Sequence, residues 1–286
     1  MKIIDTCASI PSLFENGAFH LEAWKDYINS LYPNSAAVFM DDLNECLSTG
    51  SYTYEKDVLP IVQAVCEHPN LETLYTSFAG VTDGLPDKVA ACFGRNLDID
   101  IVLYLGLCNA AGWVTQMNGR DVILLGIEKI LELNWYDENS MRGLIYHELG
   151  HVYHKQHGVF DQACACGEKR FVWQLFTEGV AMYFEQILVG DARYYHQDRD
   201  GWLDWCDGHF PQILADFHRD LPGMTPSNQR YFGDWVSYHG KGDVGYYLGT
   251  RFVRHLCEGY DFSRLINLEV NDVYREYLLF TETNHT

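Results

Sequence analysis

The chain has 286 residues, of which 47% are hydrophobic and 21% charged, a balance that excludes an intrinsically disordered protein. Lys and Arg number 20 against 40 Asp and Glu, so the formal net charge is −20. Such a field repels phosphate backbones and anionic bilayers, and neither nucleic acid nor membrane is expected as a partner.

In chain order, the opening residues carry no apolar block of signal-peptide length, and no later run reaches the roughly 18–20 residues of a spanning helix. The first hundred residues read as short helices, near 20–31, 36–47 and 54–67, from apolar positions at helical spacing that end at Pro or Gly. The texture then changes. Residues 99–107 and 121–127 are apolar and β-branched, and between them stand Gly112 and Met117-Asn118-Gly119, turn chemistry suited to an antiparallel pair. Helical spacing returns over 138–157, 171–189, 202–219 and 243–259, with an aromatic loop at 221–245. The expected class is α+β, helix-rich, with a small antiparallel sheet ahead of a helix pair. No repeat or linker marks a boundary, so we read one unit, 1–286, softly divided into a helical segment 1–98 and a core 99–286.

Nine cysteines, an odd number without scaffold spacing, fit a reduced, cytoplasmic setting in which most thiols act as small buried hydrophobes. Cys164 and Cys166 form a C-x-C pair, but no second pair follows at zinc-knuckle distance.

The informative stretch is His147-Glu148-Leu149-Gly150-His151. Histidines at i and i+4 share one helix face, with Cβ atoms about 5–6 Å apart, close enough for both rings to reach one Zn2+. Glu148 can then reach the metal's water without being a ligand and take its proton. Asp137 or Asn139 can cap this helix, Leu144, Ile145, Leu149 and Val152 form its apolar stripe, and Gly158 can end it.

Two residues compete as third ligand. His157 stands where metzincins keep theirs, and Met224-Thr225-Pro226 could pose as the methionine turn. That arrangement needs Gly where this chain has His154, so His154 and His157 read better as an exposed last turn, where cations suit the helix dipole. Glu178 follows 158–170, a loop that lets the next helix fold back. It sits among Phe171, Val172, Leu175, Phe176, Val180, Phe184 and Ile187, and a carboxylate in so apolar a helix needs a compensating cation. The small residues Gly179 and Ala181 suit close helix packing.

His147-Glu148-x-x-His151 followed by Glu178-Gly179-x-Ala181 resembles the gluzincin branch of zinc metallopeptidases. Over roughly 100–260 the chain looks like a bacterial group of uncharacterised predicted zinc-dependent proteases, which also share the β-pair and a Gly-Tyr-Tyr-Leu-Gly-Thr-Arg-Phe segment at 245–252. The resemblance implies a zincin-like fold, zinc held by His147, His151 and Glu178, Glu148 as general base, and a peptide or protein as substrate. Met182 stands where many relatives carry an outer acid, and the G-x-M-E-N exopeptidase signature is absent. Tyr246, Tyr238 and His239 compete to donate to the oxyanion, with Tyr246 matching the bacterial group best. A sheet edge from 101–127 could hold an extended peptide by strand addition, or these strands could only cover the helices. Two other readings carry the same motif: a zincin-fold metal-binding protein without peptidase activity, and a zinc hydrolase of a non-peptide amide.

Overall fold

The computed structural model describes residues 1–48, 52–161, 167–233 and 236–284. The Cys164–Cys166 pair lies outside the described residues. Internal contacts divide the chain into two units, Met1–Glu148 and Leu149–Thr286, and the division falls within one helix rather than at the change of texture near residue 98. The whole is helix-rich with a small mixed sheet, an α+β protein. No described helix is long and apolar enough to cross a membrane.

In the first unit, strand β1 (Lys2–Asp5) precedes a short ribbon, β2 (Phe14–Glu15) and β3 (Ala18–Phe19). Helices α1 (Leu21–Leu31), α2 (Ala36–Ser48), α3 (Leu59–Ala64), α4 (Leu71–Thr82) and α5 (Leu85–Phe93) follow. Then come β4 (Asp100–Tyr104), β5 (Gly112–Met117), β6 (Arg120–Gly126) and α6 (Ile127–Glu132). The sheet order is β1-β4-β6-β5.

The expected antiparallel pair is corrected here. β4 and β6 run parallel, as do β1 and β4, and only β5 is antiparallel to β6. Asn118 and Gly119, both left-handed at φ 51° and 77°, make the two-residue turn that binds β5 to β6. That turn chemistry was correctly placed but serves a strand hidden inside the presumed connection. β4 is buried throughout, as inner parallel strands are, while β5 is mostly half-buried and forms a sheet edge. Asp100 is buried on β4 because Tyr32 donates to it at 2.9 Å and Arg120 pairs with it at 2.8 Å.

Glu128 on α6 fixes the segment leading into β5. It is buried, and its carboxylate accepts the N–H groups of Gly106 at 2.8 Å and Cys108 at 2.9 Å. Burial nevertheless pushes its pKa up to about 7. A folded value above the unfolded one means the folded state keeps a proton that the unfolded chain releases. Stability from this group is therefore full below about pH 4.5 and lost as pH rises through 7, about 3 kcal/mol in all. Urea unfolding of wild type and Glu128→Gln between pH 4.5 and 8 should show the difference moving by that amount in the variant's favour. A pH-independent difference would refute the assignment.

Helix α7 (Glu138–His157) spans the predicted range, with Asp137 accepting the Ser140 N–H at 3.0 Å as its cap. The second unit continues with α8 (Glu168–Val189), α9 (Trp202–Asp220), α10 (Val244–Leu256), the short α11 (Phe262–Leu265) and α12 (Val270–Asn284). α8 is buried on nearly every side and packs along α10 and α12. Of the thiols expected to be buried, Cys206 is, whereas Cys46, Cys66 and Cys92 are exposed.

Candidate metal centre

His147 and His151 stand one turn apart on α7, and Glu178 occupies the middle of α8. One donor atom from each lies within 4.8 Å of the other two, the spacing of a group that can hold a metal ion. His147 is 7% exposed. The side chains of His151 and Glu178 are 15% and 17% exposed, with Nε2 and Oε2 3.2 Å apart.

Small residues bring these side chains together. A Cβ on Gly150 would lie 2.6 Å from Ala181 Cα and 2.9 Å from its carbonyl oxygen, so the two helix backbones meet where only glycine fits. A Cβ on Gly179 would lie 2.2 Å from the Gly249 carbonyl oxygen, which seats α8 against α10 in the same way. The obstructing atoms are backbone and cannot swing aside. Gly150→Ala is therefore expected to cost about 1–3 kcal/mol and to weaken metal binding by spreading the donors. Thermal melts and metal titration should both register it, and an unchanged melt would refute the close approach.

Glu148 follows His147 on α7 and is half-buried, outside the three-donor group. His157 is also outside it. Its ring packs on Tyr153 at 4.8 Å and its carbonyl accepts from Asn267. α7 runs unbroken through His154, so the turn a metzincin arrangement needs is not made. Met224 is half-buried at the head of an exposed loop.

The expectation of an exposed last turn fails at His154. This ring is fully buried, lies against Phe160, Trp173 and Phe176, and has Nε2 3.1 Å from the Ile266 carbonyl oxygen. Desolvation lowers its pKa to about 3, so it is neutral and donates through Nε2–H. Gly158 serves the same junction through close approach rather than a left-handed turn: a Cβ there would lie 2.2 Å from the Ile266 oxygen.

Among the oxyanion candidates, Tyr238 is fully buried and donates its hydroxyl to Asp216 at 2.8 Å, which commits it to structure. His239 is exposed in the adjoining tight turn. Tyr246 is half-buried in the first turn of α10 and lines a cavity together with Gln174, one turn before Glu178 on α8.

Asp100, Glu128, Glu185 and Asp216 are buried carboxylates that the sequence pattern does not single out, and Glu185 is the one on the same helix as Glu178. Glu185, two turns beyond Glu178, is fully buried and holds His196 Nδ1 at 3.0 Å from both oxygens. Its signal was a second acid at i+7 in an apolar helix. No family model, curated protein or solved structure matches the chain.

Proposed function

We propose that the protein is a zinc-dependent metallopeptidase with a zincin-like fold. The observation that carries this reading is the convergence of His147, His151 and Glu178 with Glu148 beside them. The donor set fits zinc. Two imidazoles and one carboxylate leave a fourth position open, as catalytic zinc sites do, and tetrahedral ligands about 2.0–2.2 Å from the ion lie roughly 3.3–3.5 Å apart. The 3.2 Å separation of His151 Nε2 and Glu178 Oε2 is already near that spacing.

Zinc, when bound, supplies a Lewis acid and an acidified water. Glu148 accepts the proton of the attacking water and returns it to the leaving amine, a role open to it because its carboxylate is not spent as a ligand. The half-exposed edge strand β5 supports an extended peptide as substrate, since its outer edge offers main-chain hydrogen bonds. Its first residue, Gly112, lies close against Leu144 of α7, one turn before Glu148: a Cβ added there would be 3.3 Å from Leu144 Cδ2.

Tyr246 is assigned the oxyanion. Tyr246→Phe is expected to lower kcat by about 10²–10³ with KM little changed, and full activity would remove it from the mechanism. The reading as a whole is tested by zinc analysis of the purified protein followed by cleavage of a random peptide library. One zinc per chain with cleavage supports it. Bound zinc without cleavage of any peptide would move the protein to the non-proteolytic or non-peptide class.

A further inference from the structure

Within the second unit, the first two turns of α8 wall a cavity of about 280 Å³ together with the 226–233 loop and the head of α10. Phe171, Pro226, Phe232 and Tyr246 supply apolar walls, Gln174 a polar one, and Arg170 stands at its margin. The volume lies just under the ~300–1,000 Å³ of drug-sized ligand pockets and suits a single side chain. Gln229 also borders the space, but both ends of its amide are spent on the loop: Oε1 accepts from Tyr231 and Phe232, and Nε2 donates to the Phe232 carbonyl.

Arg170 is different. It is exposed, and among the described residues no carboxylate pairs with it, in a chain where acids outnumber bases two to one. Five other arginines of this unit, Arg193, Arg219, Arg230, Arg251 and Arg275, hold Asp or Glu, Arg254 donates to the Gln186 side chain and the Ala192 carbonyl, and Arg264 lies over the Tyr260 ring. The Arg170 guanidinium lies 6.0 Å from the Phe171 ring, beside the cavity. Gln174 and Arg170 precede Glu178 by four and eight residues, about 6 and 12 Å along the helix axis. An extended peptide covers that longer distance in about four residues.

We propose that this cavity and Arg170 form a substrate subsite for a carboxylate, a deepening that rests on the peptidase reading. A peptide with its reacting carbonyl beside Glu178 runs along α8 toward the helix N-terminus. It places an apolar side chain in the cavity and brings a carboxylate to Arg170 within about four residues of the cleaved bond. The carboxylate is either an Asp or Glu side chain or the peptide's own C-terminus. The planar guanidinium, free to bind in fork geometry, is the group that selects it.

The test gives the zinc-loaded protein two random octapeptide pools, one ending in a free carboxylate and one in an amide, with products read by mass spectrometry. Enrichment of Asp or Glu within four residues of the cut in both pools identifies a side-chain carboxylate. Cleavage confined to the last four residues of the free-acid pool identifies the C-terminus. In either case Arg170→Ala should lower kcat/KM on preferred peptides about tenfold, by less than twofold on the others, and leave the thermal melt unchanged. Arg170→Lys should recover part of the loss. Cleavage without carboxylate preference, or a preference that survives Arg170→Ala, overturns the subsite while the peptidase reading stands. If wild type cleaves neither pool, the peptidase reading falls instead. Retention of the same pools on immobilised protein then decides the subsite: carboxylate-dependent retention lost in Arg170→Ala supports it, and equal retention overturns it.

Discussion

Glu148→Gln is expected to lower kcat/KM on any cleavable peptide by about 10²–10⁴ while the zinc content stays at one per chain. The amide keeps the size and shape of the carboxylate, so the half-buried position beside His147 is not disturbed. What disappears is the ability to take up a proton. A thousandfold loss corresponds to about 4 kcal/mol of transition-state stabilisation, more than a lost neutral hydrogen bond explains. Zinc loss in Glu148→Gln would make Glu148 a ligand and displace one of the three donors. Retained activity would place the base elsewhere.

The parts of this site that were legible in the sequence are those set by local periodicity. Spacing of four residues puts His147 and His151 on one face whatever surrounds them, and the apolar stripe with its Asp137 cap marks where α7 begins. Glu178 was legible for a related reason: a carboxylate centred in an apolar helix asks for a partner. What was not legible depends on residues distant in the chain. Apolar runs at 99–107 and 121–127 announce strands but carry no sign of direction, and the parallel partner β1 lies in a stretch whose periodicity reads as helical. β5 was concealed because Trp113, Thr115 and Gln116 make a polar, half-exposed edge rather than an apolar run. His154 sits at the helix position its spacing predicts, yet its burial is decided by Ile266, 112 residues away.

Removing the metal is expected to lower the melting temperature, and Glu178→Gln should remove most of that dependence. A ligand that binds only the folded state stabilises it by RT ln(1 + [L]/Kd), about 4.1 kcal/mol when the metal is at a thousand times its Kd. For a protein of this size each kcal/mol moves the midpoint by roughly 2–4 °C, so chelation should cost about 8–16 °C. A neutral amide is a far poorer zinc ligand than a carboxylate. If the substitution weakens binding a hundredfold, the same metal concentration stabilises by only about 1.4 kcal/mol. His157→Ala is the decisive companion, since His157 packs on Tyr153 outside the donor group. Its metal-dependent shift should equal that of wild type, even if packing lowers both of its midpoints together. A shift lost with His157 and kept without Glu178 would make α8 a passive wall and the third ligand a residue of α7. The 3.2 Å approach of His151 and Glu178 argues for the opposite outcome, because the acid is already held where zinc would need it.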